Sequence, residues 1–297
     1  MTALTTRTSP GRRTALAGIG LMVAGVFMFS FNDALGKWLV ATYSVGELLA
    51  IRSLTALVLL SPFLWRAGVK VFSAAPRPGL QLLRIALSTA EVAMFFLAVR
   101  ALPLADCITY YLAGPIYVTA LSALLLRERV EWRRWAAVLV GFAGVVLALG
   151  PSAASLSLPA VIAFLGSVFF ALLMVVTRML RATSNTVLTA GTLAGTLLLG
   201  LVTLPFSWVT PPAVDLALLA LFGVISLVAL ACVNTSLKLA PASVVVPYQY
   251  MMIVWGALLG YLVFGEVPGL NVVAGAAIII AAGLYLFVRE QKQATGA

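Results

Sequence analysis

Five charged side chains interrupt or border runs that are otherwise apolar: Asp33, Lys37, Arg52, Glu91 and Asp106. A charge at the centre of a bilayer costs at least about 2.5–3.5 kcal/mol, so each must face a cavity, find an opposite charge or give up its own. Glu91 stands some eleven residues into its run, about 16 Å deep at the helical rise. A carboxyl group at that depth can carry a coupling proton, pair with a cation or line a path in its neutral form. The nearest cation by depth is Arg52, about 9 Å below the opposite end of the preceding run. Asp33 and Lys37 are spaced i, i+4 and can pair locally; alternatively, Asn32 and Asp33 line a pathway and Asp33 meets Arg52. Asp106 opens a run, where a side-chain oxygen caps a helix.

Aromatic and amide residues form a second pattern. Tyr110, Tyr111 and Tyr117 lie in one run, and Tyr248, Gln249, Tyr250 and Trp255 in another. Both groups suit an interfacial belt, or they descend toward one shared cavity. Aromatic walls with a few amides, joined by Asn234 from a third run, fit a zwitterionic or neutral amphiphile better than a polyanion. Gly114-Pro115 falls mid-run, where proline removes one backbone hydrogen bond, making either a hinge or a static bend. Gly191/Gly195 and Gly256/Gly260 have the spacing that lets helices approach closely, which points to packing within a monomer, with a weak homodimer as the alternative. Glu128 and Glu266 read as turn or cap residues.

Other chemistry is excluded by what the 297 residues lack. There is no histidine, which removes His metal ligands and every Ser-His or Cys-His triad. No HExxH, GxSxG or Walker A pattern occurs, and neither enzymatic activity, cofactor nor metal is expected. Cys107 and Cys232 sit in apolar runs without CxxC spacing and read as packing residues.

The elements that hold these residues follow from composition. The chain is 63% hydrophobic and 9% charged, against about 25% charged in an ordinary globular domain, so its solvent is the lipid bilayer. The net charge of +10 is spread between the apolar runs, which argues against a nucleic-acid partner. Spans of about 20 residues are predicted at 15–38, 46–64, 80–101, 106–126, 132–149, 158–180, 186–208, 213–239, 244–264 and 270–288. With the N-terminus in the cytoplasm, 16 of the 19 Lys and Arg fall on that side, so both termini are expected inside. Arg12-Arg13 before an apolar run also resembles a secretion signal, but the run continues through Asn32-Asp33 without a small-residue cleavage site and is read as a retained helix.

An offset of 138 residues aligns Arg100 with Lys238, Pro103 with Pro241, Tyr110 with Tyr248 and Glu128 with Glu266. Each half then holds five helices, and an odd number makes the halves inverted repeats, an arrangement typical of secondary transporters. The expected organisation is a tail at 1–14, five-helix repeats at 15–149 and 158–288, and a second cytoplasmic tail at 289–297.

The residues Ala101 to Ala105, Leu112-Ala113-Gly114-Pro115, Leu124 to Glu128, Gly141 and Gly144, with a second copy at Leu239 to Ser243, Val263 to Glu266 and Gly283, resemble the repeat signature of EamA-type members of the drug/metabolite transporter superfamily. The sequence departs from that signature at Ile253, where a proline opposite Pro115 is usual. Within the superfamily, the whole looks most like the YddG-type exporters of aromatic amino acids. The resemblance implies an all-α inner-membrane protein of ten helices, with a midplane site among helices 1, 3, 4, 6, 8 and 9. The expected activity is export of a small metabolite, chiefly aromatic and other hydrophobic amino acids, by alternating access, with proton coupling at Glu91 as one reading of that carboxyl group. Export of cationic or amphiphilic drugs, nucleotide-sugar exchange and a channel are the alternatives.

Overall fold

The computed structural model describes residues 12–68, 76–125, 132–149, 157–180, 182–239 and 246–295. Among them every regular element is helical: α1 (Arg12–Val40), α2 (Val45–Ala67), α3 (Pro78–Val99), α4 (Leu104–Leu112), α5 (Gly114–Leu125), α6 (Trp132–Leu149), α7 (Leu158–Met179), α8 (Asn185–Ser207), α9 (Ala213–Leu239), a 3-10 turn (Val246–Tyr250), α10 (Met251–Phe264) and α11 (Leu270–Thr295). Arg127, Glu128 and Pro241 lie outside the described residues.

Six of these helices, α1, α2, α3, α7, α8 and α9, are long and apolar enough to cross a membrane. Shorter apolar helices run over Trp135–Ala148, Tyr248–Phe264 and Leu270–Tyr285. Large apolar side chains cover the outside: Trp65 is 89% exposed and Phe206 88%. Such a surface is stable only against hydrocarbon.

Local sequence sets the boundaries. Ser44 accepts from the Glu47 backbone N–H at 3.1 Å and starts α2, and Ser184 accepts from the Val187 N–H at 3.4 Å and starts α8, each satisfying a donor that the first turn leaves open. The single span predicted over 106–126 is divided at Ala113, whose N–H turns back to Tyr110 O at 3.3 Å. Pro115 becomes the second residue of α5, where its missing N–H leaves no bond unmade. No such break occurs in α10, which is continuous through Ile253; the irregular turn there precedes it, at Val246–Tyr250.

The principal helix pairs are α1 with α9, α6 with α11, α2 with α8, and α3 with α7. Further contacts join α2 to α9, α1 to α10, α3 to α8, α4 to α10, and α7 to both α4 and α5. This set is unchanged when α1, α2, α3, α4–α5 and α6 are exchanged for α7, α8, α9, α10 and α11. Gly191 and Gly195 face Ile85 of α3, and Gly256 faces Ile108 of α4. These small residues therefore pack helices of one chain against each other.

Candidate functional site: a charged, aromatic-walled cavity

A cavity of about 380 Å³ lies between the halves, lined from α1, α2, α3 and α4 on one side and α7, α9, the 3-10 turn and α10 on the other. That volume falls within the roughly 300–1,000 Å³ of small-molecule sites.

Its charged groups are Asp33, Arg52 and Glu91, all half-buried. Counted along their helices, they lie about 10–12 Å from the end of the bundle that carries the α1–α2 and α3–α4 connections. Arg52 donates from Nη2 to Ser226 Oγ at 2.7 Å, and its guanidinium carbon stands 4.9 Å from the centre of the Phe222 ring. Both carboxylates act on Arg52 electrostatically, yet neither forms a salt bridge with it. Among the described residues the salt bridge found is Lys37 with Glu266. Asn32 adds a buried carbonyl oxygen, Oδ1, with no hydrogen-bond partner.

The walls are aromatic. Tyr111 meets Phe95 edge-on at 5.2 Å and Phe170 at 5.9 Å, and its hydroxyl donates to the Glu91 carbonyl at 3.3 Å. Phe29, Phe96 and Tyr250 extend the lining, and Gln249, an exposed residue, also borders it.

Of the residues singled out from sequence, Asn32, Asp33, Arg52, Glu91, Tyr111 and Gln249 are thus brought together. The others are placed elsewhere. Tyr110 and Tyr117 are buried in the main core, Tyr117 edge-on to Phe164 at 6.2 Å. Tyr248 and Trp255 pack with Met22 and Val26, and Trp255 meets Phe27 at 5.1 Å. Asn234 is half-buried and outside the lining, which takes its neighbour Val233. Gly114 packs against Phe170, where an added Cβ would lie 3.1 Å from the ring. Ser226, Phe222 and Phe170 were not found from sequence, because a serine or phenylalanine in an apolar helix carries no signal of its own.

The expected Asp33–Lys37 pair is not formed. Lys37 instead pairs with Glu266 of the other half and donates to Leu102 O at 2.6 Å, which leaves Asp33 to the cavity. Glu266 is a cap, as its position suggested, but of a distant helix: its Oε2 accepts from the Leu104 N–H at 2.9 Å. Asp106, expected to be that cap, is the third residue of α4, and its buried Oδ1 has no partner. Nearby, Tyr43 donates to Asp215, which pushes its phenol up to about 12, and Glu47 Oε2 accepts from the Val209 N–H at 3.2 Å. Polar bonds between the halves therefore close the end of the bundle nearest the three charges.

A cavity of this kind between two packed helical halves in a lipid-facing shell is what a multi-pass membrane transporter needs, and the chain's likeness to known proteins gives that class. The sequence profile of the EamA-like transporter family matches residues 16–150 and again 157–289, and the chain belongs to that family within the drug/metabolite transporter superfamily. It is 26% identical over 284 residues to the "S-adenosylmethionine uptake transporter" of Rickettsia felis, covering 94% of this chain and 95% of that one. The "Pseudopaline exporter CntI" of Pseudomonas aeruginosa is 30% identical over 283 residues, covering 91% and 95%, and a "Riboflavin transporter" of Vibrio cholerae is 28% identical over 247 residues, covering 80% and 81%. A solved crystal structure superposes with a TM-score of 0.63 over 95% of this chain and 98% of its own, at 17% identity; that likeness concerns the fold. These relatives are named for small molecules moved in either direction, and their names do not support the closer likeness to aromatic amino-acid exporters.

Proposed function

We propose that this protein is a ten-helix secondary carrier of two inverted five-helix halves, both termini cytoplasmic, that moves a small cationic metabolite with an amino-acid head through the Asp33–Arg52–Glu91 cavity. The observation that carries this reading is that these charges share one cavity without pairing to each other. A substrate carboxylate can take the free guanidinium N–H groups of Arg52 as a two-point partner. Asp33 and Glu91 then suit two positive centres, because two carboxylates left bare in a low-dielectric site would be costly. S-adenosylmethionine has this pattern: a carboxylate, an α-ammonium, a sulfonium and an aromatic base to lie against Phe95, Tyr111 and Phe170. The name of the Rickettsia felis relative supports the same choice. Nucleotide sugars fit poorly, since their phosphates would meet two carboxylates and one cation.

The second reading keeps aromatic amino acids as cargo. Such a zwitterion uses one carboxylate of the pair and leaves Glu91, which has no hydrogen-bond partner for its side chain, to carry a coupling proton. Uptake of labelled S-adenosylmethionine into proteoliposomes, in competition with unlabelled phenylalanine and tryptophan, separates the two. The proposal expects self-competition at concentrations at which the amino acids compete weakly; stronger competition by phenylalanine or tryptophan overturns it in favour of the second reading.

A further inference from the structure

Arg52 and its two carboxylates pose a physical problem. A guanidinium beside two carboxylates in a poorly solvated cavity is drawn into an ion pair with one of them, and an arginine so engaged has fewer donors left for a substrate. Something must hold it apart, and the groups that do so come from α9. Phe222 and Ser226 are spaced i, i+4 and share a helix face. Ser226 Oγ accepts from Nη2 at 2.7 Å, and the guanidinium carbon lies over the Phe222 ring, 4.9 Å from its centre. Phe222 is fully buried and fixed edge-on to Phe96 at 5.4 Å. Between them, Gly223 lets α9 approach the α2 backbone: a Cβ there would fall 2.5 Å from the Arg52 carbonyl oxygen.

We infer that Phe222, Gly223 and Ser226 form a positioning clamp that keeps Arg52 out of ion pairs with Asp33 and Glu91 and presents its remaining donors to a substrate carboxylate, so that these α9 residues set selectivity for carboxylate-bearing cargo. One Nη2 hydrogen goes to Ser226, and the rest of the five-donor fork stays free. The ring attracts the guanidinium charge without accepting a conventional hydrogen bond, so the contact takes no donor that Ser226 leaves for the substrate. Because α2 and α9 belong to different halves, the receptor is complete only when the halves are packed as seen here. The inference rests on the proposed reading of Arg52 as the carboxylate receptor.

The test is transport in proteoliposomes of S-adenosylmethionine against its decarboxylated analogue, which keeps the sulfonium, amine and base. Wild-type protein is expected to prefer the carboxylated compound, and Arg52→Gln to lose that preference. Ser226→Ala is expected to raise the half-saturating concentration of S-adenosylmethionine about tenfold, the scale of a charge-assisted hydrogen bond, while moving that of the analogue less than about twofold; Ser226→Thr, which keeps the hydroxyl, restores the preference. If Arg52→Gln abolishes the preference but Ser226→Ala leaves it intact, or weakens both compounds equally, the clamp is wrong and the receptor reading stands. If Arg52→Gln leaves the preference unchanged, or the wild type transports neither compound, the receptor reading fails and the clamp falls with it.

Discussion

Glu91 and Lys37 show how differently two half-buried charges are satisfied in one bundle. Lys37 finds a full partner in Glu266 and a carbonyl in Leu102, whereas Glu91 is left facing a cavity. Removing one member of the Lys37–Glu266 pair strands the other in a half-buried site. Lys37→Met and Glu266→Gln are each expected to cost about 1–3 kcal/mol, and the double variant less than their sum; the apparent Tm in detergent measures this, and strict additivity would show that the pair is not coupled. If Glu91 carries the coupling proton, Glu91→Gln transports with a flattened pH profile; an unchanged rate and profile removes it from coupling. Asp33, Arg52 and Glu91 were legible in the sequence because charge in an apolar run must be explained. The partner of Lys37 was not, because it lies 229 residues away and the local i, i+4 carboxylate looked sufficient.

At the scale of helices, two breaks decide which aromatic residues reach the cavity. The split at Ala113 separates Tyr111 from Tyr117, so a continuous helix drawn through both leads the eye to the wrong residue. Likewise, Val246–Tyr250 is a 3-10 turn, with about 3.0 residues per turn in place of 3.6; the altered rotation brings Tyr250 and Gln249 to the cavity and sends Tyr248 into the cluster with Met22. Patterning placed most helices to within a few residues, although α11 continues to Thr295 through most of the stretch read as a tail from 289; these rotations, however, depend on where hydrogen bonding changes register. The glycine stripe on α8 makes a sharper prediction. Gly195→Leu would drive a side chain into Ile85 and Thr89, each 2.5 Å from an added Cβ. Overpacking of this kind costs about 1–3 kcal/mol, so the apparent Tm should fall, while Leu198→Ala on the exposed side of the same helix should leave it nearly unchanged.

Across the whole molecule, the larger helix contacts between the halves map onto themselves when the halves are exchanged, and the family profile matches twice, over 16–150 and 157–289. Both facts support two similar halves; the proposed topology, with the halves inverted and both termini cytoplasmic, is a separate claim that labelling tests. In a background lacking Cys107 and Cys232, a cysteine at Val209, which is 46% exposed, should react with an impermeant maleimide added to intact cells. One at Arg77 should react only after the membrane is opened. The reverse pattern would invert the topology. Polar bonds close the end of the bundle that carries the α1–α2 connection through Lys37–Glu266, Tyr43–Asp215 and Glu47–Val209, and the proposed carrier cycle must break some of them to release cargo at that end.

The proposed carrier moves its cargo through the site formed by the three unpaired charges. The most direct measurement is trans-stimulated uptake of labelled S-adenosylmethionine into preloaded proteoliposomes, comparing wild type with the Asp33→Asn/Glu91→Gln double variant. Saturable uptake by the wild type and its loss in the correctly folded double variant is the predicted result. Equal uptake by the two proteins would contradict the claim, because a site built on those carboxylates cannot lose both charges and keep its cation.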